Sequence, residues 1–174
     1  MDNNVSFRVH KDELADAAAW VARSLPTKST QPVLRAVVIT ADDNGLEFAG
    51  FDYEVSTRVR IAAEVNDPGR VAVAGKLLAD IVGTMPNDAI EVSTDGKVMT
   101  LRARSSRFEL PLIALDDYPQ LPQLPEVTGR ISPAALTGAV TQVASAAGRD
   151  DTLPMLTGIH VEICLLYTSD AADE

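Results

Sequence analysis

The chain has very few of the side chains on which most enzyme and metal chemistry depends. Its one cysteine among 174 residues, Cys164, excludes a disulfide framework or a cysteine metal site within the chain. The only histidines are His10 and His160. No Gly-x-x-x-x-Gly-Lys-Ser/Thr, Gly-x-Gly-x-x-Gly or Gly-x-Ser-x-Gly run occurs, so the common phosphate-loop, dinucleotide and serine-hydrolase signatures are missing. Ser105-Ser106-Arg107 reads as a strand-end turn rather than a nucleophile. Basic residues are scarce too, with 15 Lys and Arg against 25 Asp and Glu and a formal net charge of -10. Such a body repels phosphate at long range, which argues against binding nucleic acid by bulk counterion release but leaves room for a local basic surface. There is no 18-residue apolar run, and Met1-Asp2-Asn3-Asn4 has neither the basic nor the apolar part of an export signal. A soluble, cytoplasmic protein with no membrane partner is expected.

The acidic excess invites a search for paired carboxylates. Asp52 and Glu54 lie two apart, and Asp150 and Asp151 are adjacent, but neither pair has a histidine or third carboxylate at ligand spacing. They read as solvated turn residues, and a hydrolase built on Asp52 and Glu54 would need a catalytic partner that the sequence does not offer. No catalytic residue, metal or cofactor is expected.

What is present is a long internal repeat. Leu14, Val21, Ala22, Thr30, Pro32 and Leu34 recur in order 122 positions later as Leu136, Val143, Ala144, Thr152, Pro154 and Leu156. In each copy a helical run leads through a loop to a β-branched strand, Arg35 to Thr40 and then Thr157 to Ile163. A period this long marks a domain rather than a solenoid unit. The copy fails at Cys164, where a turn answering Asp42-Asp43-Asn44-Gly45 should stand. One back-translation of Cys164 to Glu174 is similar to a transposon-end sequencing adapter, so this tail is set aside. Without its Asp170, Asp173 and Glu174 the formal charge moves from -10 to -7.

Hydrophobic periodicity organises the rest. Val5 to Val9 reads as a strand and Lys11 to Ser24 as a helix with Leu14, Ala17, Ala18, Val21 and Leu25 on one face. Trp20 borders that stripe in a packing role. Leu34 to Ala41 and Leu46 to Phe51 form a hairpin about Asn44-Gly45, and Val55 to Val65 continues as one strand. The pattern then repeats: strand Arg70 to Ala74, a helix with Leu77, Leu78, Ile81, Val82 and Met85, two strands about Asp95-Gly96, and Arg107 to Ile113. This predicts an α+β domain, an antiparallel sheet with two helices on one face. Expected boundaries are 1–120 for the first domain, 121–128 for a Pro-rich connector, 129–163 for the start of a second domain and 164–174 for the tail. The second copy opens with a strand at Arg130-Ile131, then a helix capped by Ser132 with Pro133 at its first position. Its four apolar helix residues are each worth roughly 1.5–3 kcal/mol when buried, against roughly 1.5 kcal/mol per ordered residue. Residues 1–120 are therefore expected to fold, with 130–174 frayed or loosely docked.

Four basic residues stand out. Arg23 and Lys28 lie at the end of the first helix, Lys76 begins the second, and Arg149 lies in the loop that repeats the Lys28 loop. A repeating assembly would display Lys28 and Arg149 along one rim.

These residues sit among longer motifs. Leu46-x-Phe48-x-Gly50-Phe51-Asp52-Tyr53-Glu54-Val55-Ser56, Ser106-Arg107-Phe108-x-Leu110, Asp117-Tyr118-Pro119-x-Leu121-Pro122 and the run Ala146 to Gly158 resemble the bacterial sliding clamp, the beta subunit of DNA polymerase III, in its actinobacterial form. The similarity covers residues 5–163. It implies a DNA-clamp fold and a head-to-tail homodimeric ring of three similar domains per subunit, with helices lining the DNA hole and no catalytic site. A closed ring holds duplex DNA topologically, which would reconcile an acidic body with a DNA partner. By the same resemblance Lys28, Lys76 and Arg149 match DNA-facing positions, and Phe108 and Leu110 match the edge strand that pairs with the partner subunit. Leu156 matches one wall of the groove for the short peptides of the polymerase III alpha subunit, the clamp loader and other clamp-binding proteins. The chain would then be an N-terminal fragment, unable to close a ring or bind such a peptide normally. The alternative is a stand-alone interaction module that docks partners on edge strand Phe108 to Leu110.

Overall fold

The computed structural model describes residues 4–27, 31–116, 118–127, 129–150 and 152–162. The chain divides into two units, Met1–Gln123 and Leu124–Glu174. Among the described residues, no helix is long and apolar enough to cross a membrane.

In the first unit, strand β1 (Ser6–His10) turns Phe7 and Val9 inward and runs without a loop into helix α1 (Lys11–Ser24). His10 caps the helix, its Nδ1 accepting the Asp12 N–H at 3.4 Å. Asp12 and Glu13 in the first turn and Arg23 in the last complement the helix dipole. Leu14, Ala17, Ala18, Val21 and Ala22 are buried, as the 3.6-residue spacing requires. A 3₁₀ turn (Pro32–Arg35) leads to β2 (Ala36–Asp42), β3 (Gly45–Phe51), β4 (Ser56–Ile61) and β5 (Glu64–Asp67). The sequence repeats the theme as β6 (Gly69–Ala74), α2 (Gly75–Thr84), β7 (Ala89–Thr94), β8 (Val98–Ala103) and β9 (Ser106–Pro111). Leu34 thus belongs to the 3₁₀ turn rather than to the strand expected from Leu34.

The strands form two antiparallel sheets, ordered β5-β1-β7-β8-β9 and β4-β3-β2-β6. Each half of the domain lends its opening strand to the other half's sheet: β1 pairs with β7, and β6 with β2. This exchange, with α1 and α2 packed side by side, gives one core for both halves, centred on Phe7, Leu14, Ile39, Phe48, Leu78, Ile90 and Leu101. It also overturns the single strand expected from Val55 to Val65. β4 pairs with β3 in one sheet and β5 with β1 in the other, so the chain leaves the ladder at Ala62 and Ala63 to change sheets. Alternation of side chains carries no trace of that break, because both pieces keep a period of two.

The hairpin turns follow their residue chemistry. Asp42 Oδ1 accepts the Asn44 N–H at 2.8 Å, and Gly45 takes φ +106° where a Cβ would lie 2.4 Å from the Ile61 carbonyl oxygen. Asp95 Oδ1 accepts from Lys97 and Val98 N–H, with Gly96 at φ +84°. β9 ends at Pro111 rather than Ile113, because the next residues change partners: Leu112 bridges Val73 and Ile113 N–H donates to the Ala72 carbonyl of β6. From there the chain covers the outer face of the β4-β3-β2-β6 sheet, burying Tyr118 against Ala36, Val38 and Ala72. Burial raises the Tyr118 phenol above its ordinary pKa. Arg58 of β4 fastens this extended segment by donating from Nη2 to the Pro122 carbonyl at 2.6 Å.

In the second unit, helix α3 (Pro133–Ala144) and a 3₁₀ turn (Pro154–Leu156) start at the offset-122 counterparts of Lys11 and Pro32. Ser132 caps α3, its Oγ accepting the Ala135 N–H at 3.2 Å. α3 buries none of its residues, and Leu136, Val140 and Val143 are all exposed. The strands expected at Arg130-Ile131 and from Thr157 are absent among the described residues. A strand exists by pairing its backbone groups with a neighbour, and none of the described residues of this unit forms a ladder.

Candidate nucleic-acid interface

The loop after α1 and the start of α2 are brought together by a small-residue contact. Leu25, 7% exposed, occupies the space where Cβ atoms at Gly75 and Gly50 would stand, 2.3 Å and 2.8 Å from its methyl carbons. The C-terminal end of α1 therefore meets the N-terminal end of α2. Arg23 and Lys76, 53 positions apart in sequence, each lie within two residues of this contact, and both are exposed. Lys76 lines a cleft of about 360 Å³ with Arg35, Leu77, Pro26 and Pro32. Arg35 is a basic residue that pattern reading passed over, because its repeat counterpart is Thr157 and it sits in what looked like a strand. Leu77 was expected on the buried stripe of α2 but is 43% exposed, since α2 turns only Gly75, Leu78 and Val82 fully inward. The opposite end of α1 carries Asp12, Glu13 and Asp16. Lys11 also lies at that end, ion-paired with Asp12 at 3.7 Å, so among the described residues the helix layer has a net positive charge only at the α1-α2 junction.

Trp20 does not pack in the core. It is 55% exposed beside a groove of about 490 Å³ lined by Glu13, Asp16, Arg23, Val59 and Ile61. Helical spacing places Trp20 next to the stripe, but the neighbouring strand there is β4, an edge that leaves the ring uncovered.

Of the other sequence-derived candidates, Lys28 and Asp151 lie outside the described residues. Arg149 is exposed in a loop closed by the Gly148 N–H donating to the Leu156 carbonyl at 2.7 Å, so Arg149 and Leu156 belong to one structural loop. Leu156 is 58% exposed, near Leu153 at 53% and Met155 at 85%. Asp150 accepts from the Thr152 N–H and hydroxyl, which holds its pKa below the ordinary carboxylate value. Asp52 accepts from Glu54 and Val55 N–H, a turn-forming carboxylate. No group of three or more metal-ligating side chains occurs among the described residues. Phe108 is half-buried and Leu110 fully buried on β9, the last strand of its sheet.

Two antiparallel sheets that exchange opening strands beneath a pair of adjacent helices, basic at one end, define a DNA-clamp domain. The sequence profile of the DNA polymerase III beta subunit, N-terminal domain, matches residues 5–122. The chain belongs to that family. It is 49% identical over 159 residues to the beta sliding clamp of Streptomyces coelicolor, covering 91% of this chain and 42% of the relative. It is 45% identical to that of Micrococcus luteus, covering 91% and 51%. The crystal structure of the DNA polymerase sliding clamp from Bacillus subtilis superposes with a TM-score of 0.80 at 25% identity, over 89% of this chain and 43% of that one. The chain spans about half the length of the curated relatives it matches.

Proposed function

We propose that the chain supplies the first domain, and part of the second, of a replication processivity clamp. That clamp encircles duplex DNA in the cytoplasm and tethers the replicative polymerase without catalysing a reaction. The carrying observation is the one-ended basic character of the α1-α2 layer within an acidic domain of this family. A protein that must slide needs cations facing phosphate, but only a few, since each tight phosphate contact would slow it. Lys76 is the described residue of that layer assigned to DNA, with Arg23 and Arg35 beside it, and Lys28 and Arg149 complete the assignment from the sequence. The domain boundary falls within the Pro-rich segment after Leu121. Phe108 and Leu110 are assigned to the subunit interface, and Leu156 to the groove that takes clamp-binding peptides of the polymerase and loader. The sliding clamp of Pseudomonas aeruginosa, 26% identical with a TM-score of 0.76, has been crystallised bound to griselimycin.

The test is a chimaera in which residues 1–123 replace the matching domain of the Streptomyces coelicolor clamp. The chimaera is expected to support processive synthesis on primed circular DNA. Lys76→Glu in it should shorten retention on nicked circles at least several-fold at moderate salt, each phosphate contact changing the salt slope by about one. A chimaera that assembles into rings yet gives no processivity would overturn the reading.

A further inference from the structure

The cleft at the α1-α2 junction departs from the acidic character of the chain. Its walls are mainly apolar, formed by Leu25, Pro26, Pro32 and Leu77, and the charged residues that line it are Arg35 and Lys76. The chain has 25 acidic residues, yet no carboxylate lines this cleft. The groove beside Trp20, by contrast, contains Glu13 and Asp16, and the one on the outer sheet face contains Glu47 and Asp116. Arg35 and Lys76 are both exposed, and among the described residues neither forms an ion pair. Asp80, one helical turn beyond Lys76, lies outside the lining.

The fold holds these parts in place. The β2–β6 ladder ends on the pair Ala36 and Ala74, so the next residues outward, Arg35 and Gly75, are opposite each other and Lys76 follows one step on. The Arg35 carbonyl oxygen accordingly lies 3.6 Å from where a Cβ at Gly75 would stand. Leu25 is wedged against Gly50 and Gly75, and the ring of each proline fixes its φ. The apolar walls and the backbone that carries both cations are therefore set before anything binds, which lowers the ordering cost of binding.

Size and charge together select the occupant. A volume of about 360 Å³ is near the lower end of ligand sites, about 300–1,000 Å³. It has room for one apolar side chain and an anionic group but not for a helix. Pro32, Arg35, Lys76 and Leu77 are all exposed, so the cleft is a surface notch, suited to a side chain carried in on a peptide. Duplex DNA or a free inorganic anion would engage the cations and leave the apolar walls bare. A purely apolar group would leave the cations unused. A carboxylate beside an apolar side chain uses both, and the acidic surface elsewhere repels it.

We propose that this cleft docks a peptide segment of a partner protein in which a carboxylate side chain adjoins a branched apolar one. Arg35 and Lys76 take the carboxylate, and Leu25, Pro26, Pro32 and Leu77 take the apolar group. The site shares Lys76 with the DNA reading but does not depend on it. If both hold, peptide and phosphate compete for that one ammonium group.

The test is an amide chemical-shift titration of the isotope-labelled 174-residue chain with the peptide acetyl-Gly-Glu-Leu-Gly-amide. Two control peptides replace Glu by Gln or Leu by Ala. Saturable shifts centred on Leu25, Lys76 and Leu77 are expected in the millimolar range, with both controls several-fold weaker. Arg35→Gln and Lys76→Gln should each weaken binding roughly two- to fivefold, the scale of an exposed ion pair, and Leu77→Ser by a similar factor through lost apolar contact. All three side chains are exposed, and the spectrum of each variant reports directly that it is folded. No saturable shift, shifts centred elsewhere, or equal binding of the Gln or Ala peptide would overturn the proposal, as would binding that ignores all three substitutions. The titration contains no DNA, so its failure is separate from failure of the Lys76→Glu test in the chimaera.

Discussion

Gly75→Ala probes the contact that joins the two helices. A Cβ at Gly75 would lie 2.3 Å from Leu25 Cδ1, where ordinary contact begins at 3.4 Å, so something must yield by about 1 Å. Leu25 cannot easily yield, since its other methyl already lies where a Cβ at Gly50 would be. Overpacking of this kind costs about 1–3 kcal/mol. The gain in helix propensity, at most about 1 kcal/mol and less at the first helical position, offsets part of it. The expected net loss is about 1–2 kcal/mol. Leu25→Ala alone should cost about 2–5 kcal/mol through the cavity it leaves. In that background Gly75→Ala should be neutral or stabilising, because the clash is gone. The double-mutant cycle should therefore give a coupling of about 1–3 kcal/mol. Urea unfolding followed by the fluorescence of Trp20, the chain's single tryptophan and part of α1, reads this directly. A Gly75→Ala midpoint equal to wild type, or additive losses in the double variant, would refute the packing argument.

Further outcomes follow from the same structure. Thr94 closes the start of β1 by accepting the Val5 N–H at 2.8 Å in a buried setting. Thr94→Val should therefore cost about 1–3 kcal/mol in chemical denaturation, the penalty of an unmet buried donor, while Thr94→Ser should recover most of it. Asp42 is held below its ordinary pKa first by its hydrogen bond from Arg60 and then by the Asn44 N–H, and Asp88 likewise by Arg104 and the Ala89 N–H. Folded values below the unfolded ones mean that this stabilisation is full above the ordinary aspartate range. It is lost as pH falls through the lower folded values, so Asp42→Asn should lower the neutral plateau of a stability-versus-pH curve and flatten its acid limb, the two proteins converging at low pH. Limited proteolysis should cut around α3, none of whose residues is buried, well before Met1–Gln123, and equal resistance of both units would contradict this.

How much of this was legible beforehand varies with the kind of information involved. The extent of α1, the Ser132 cap and the turns at Gly45 and Gly96 are local matters of periodicity, side-chain capping and positive φ, each readable from a few neighbouring residues, and the 122-residue repeat needed only comparison of the chain with itself. The repeat is repeated in form as well, since α1 and α3 begin at equivalent positions and so do the two 3₁₀ turns. Basic residues near the α1-α2 junction were visible as residue types, although Arg35 was hidden by a local pattern that resembled a strand start.

Tertiary structure alone decided which strand lies beside which. Nothing in the alternation of Ser6–His10 or Gly69–Ala74 states that each will join the other half's sheet, or that Val55 to Val65 will change sheets at Ala62. A strand's own residues specify which face is apolar, while its partner is selected by how both halves close a single core. For the same reason the exposure of Trp20 and Leu77 and the placing of Arg23 and Lys76 at one junction could not be read along the chain. They depend on where edges fall and on which side chains a neighbour happens to cover, and those are properties of the packed whole.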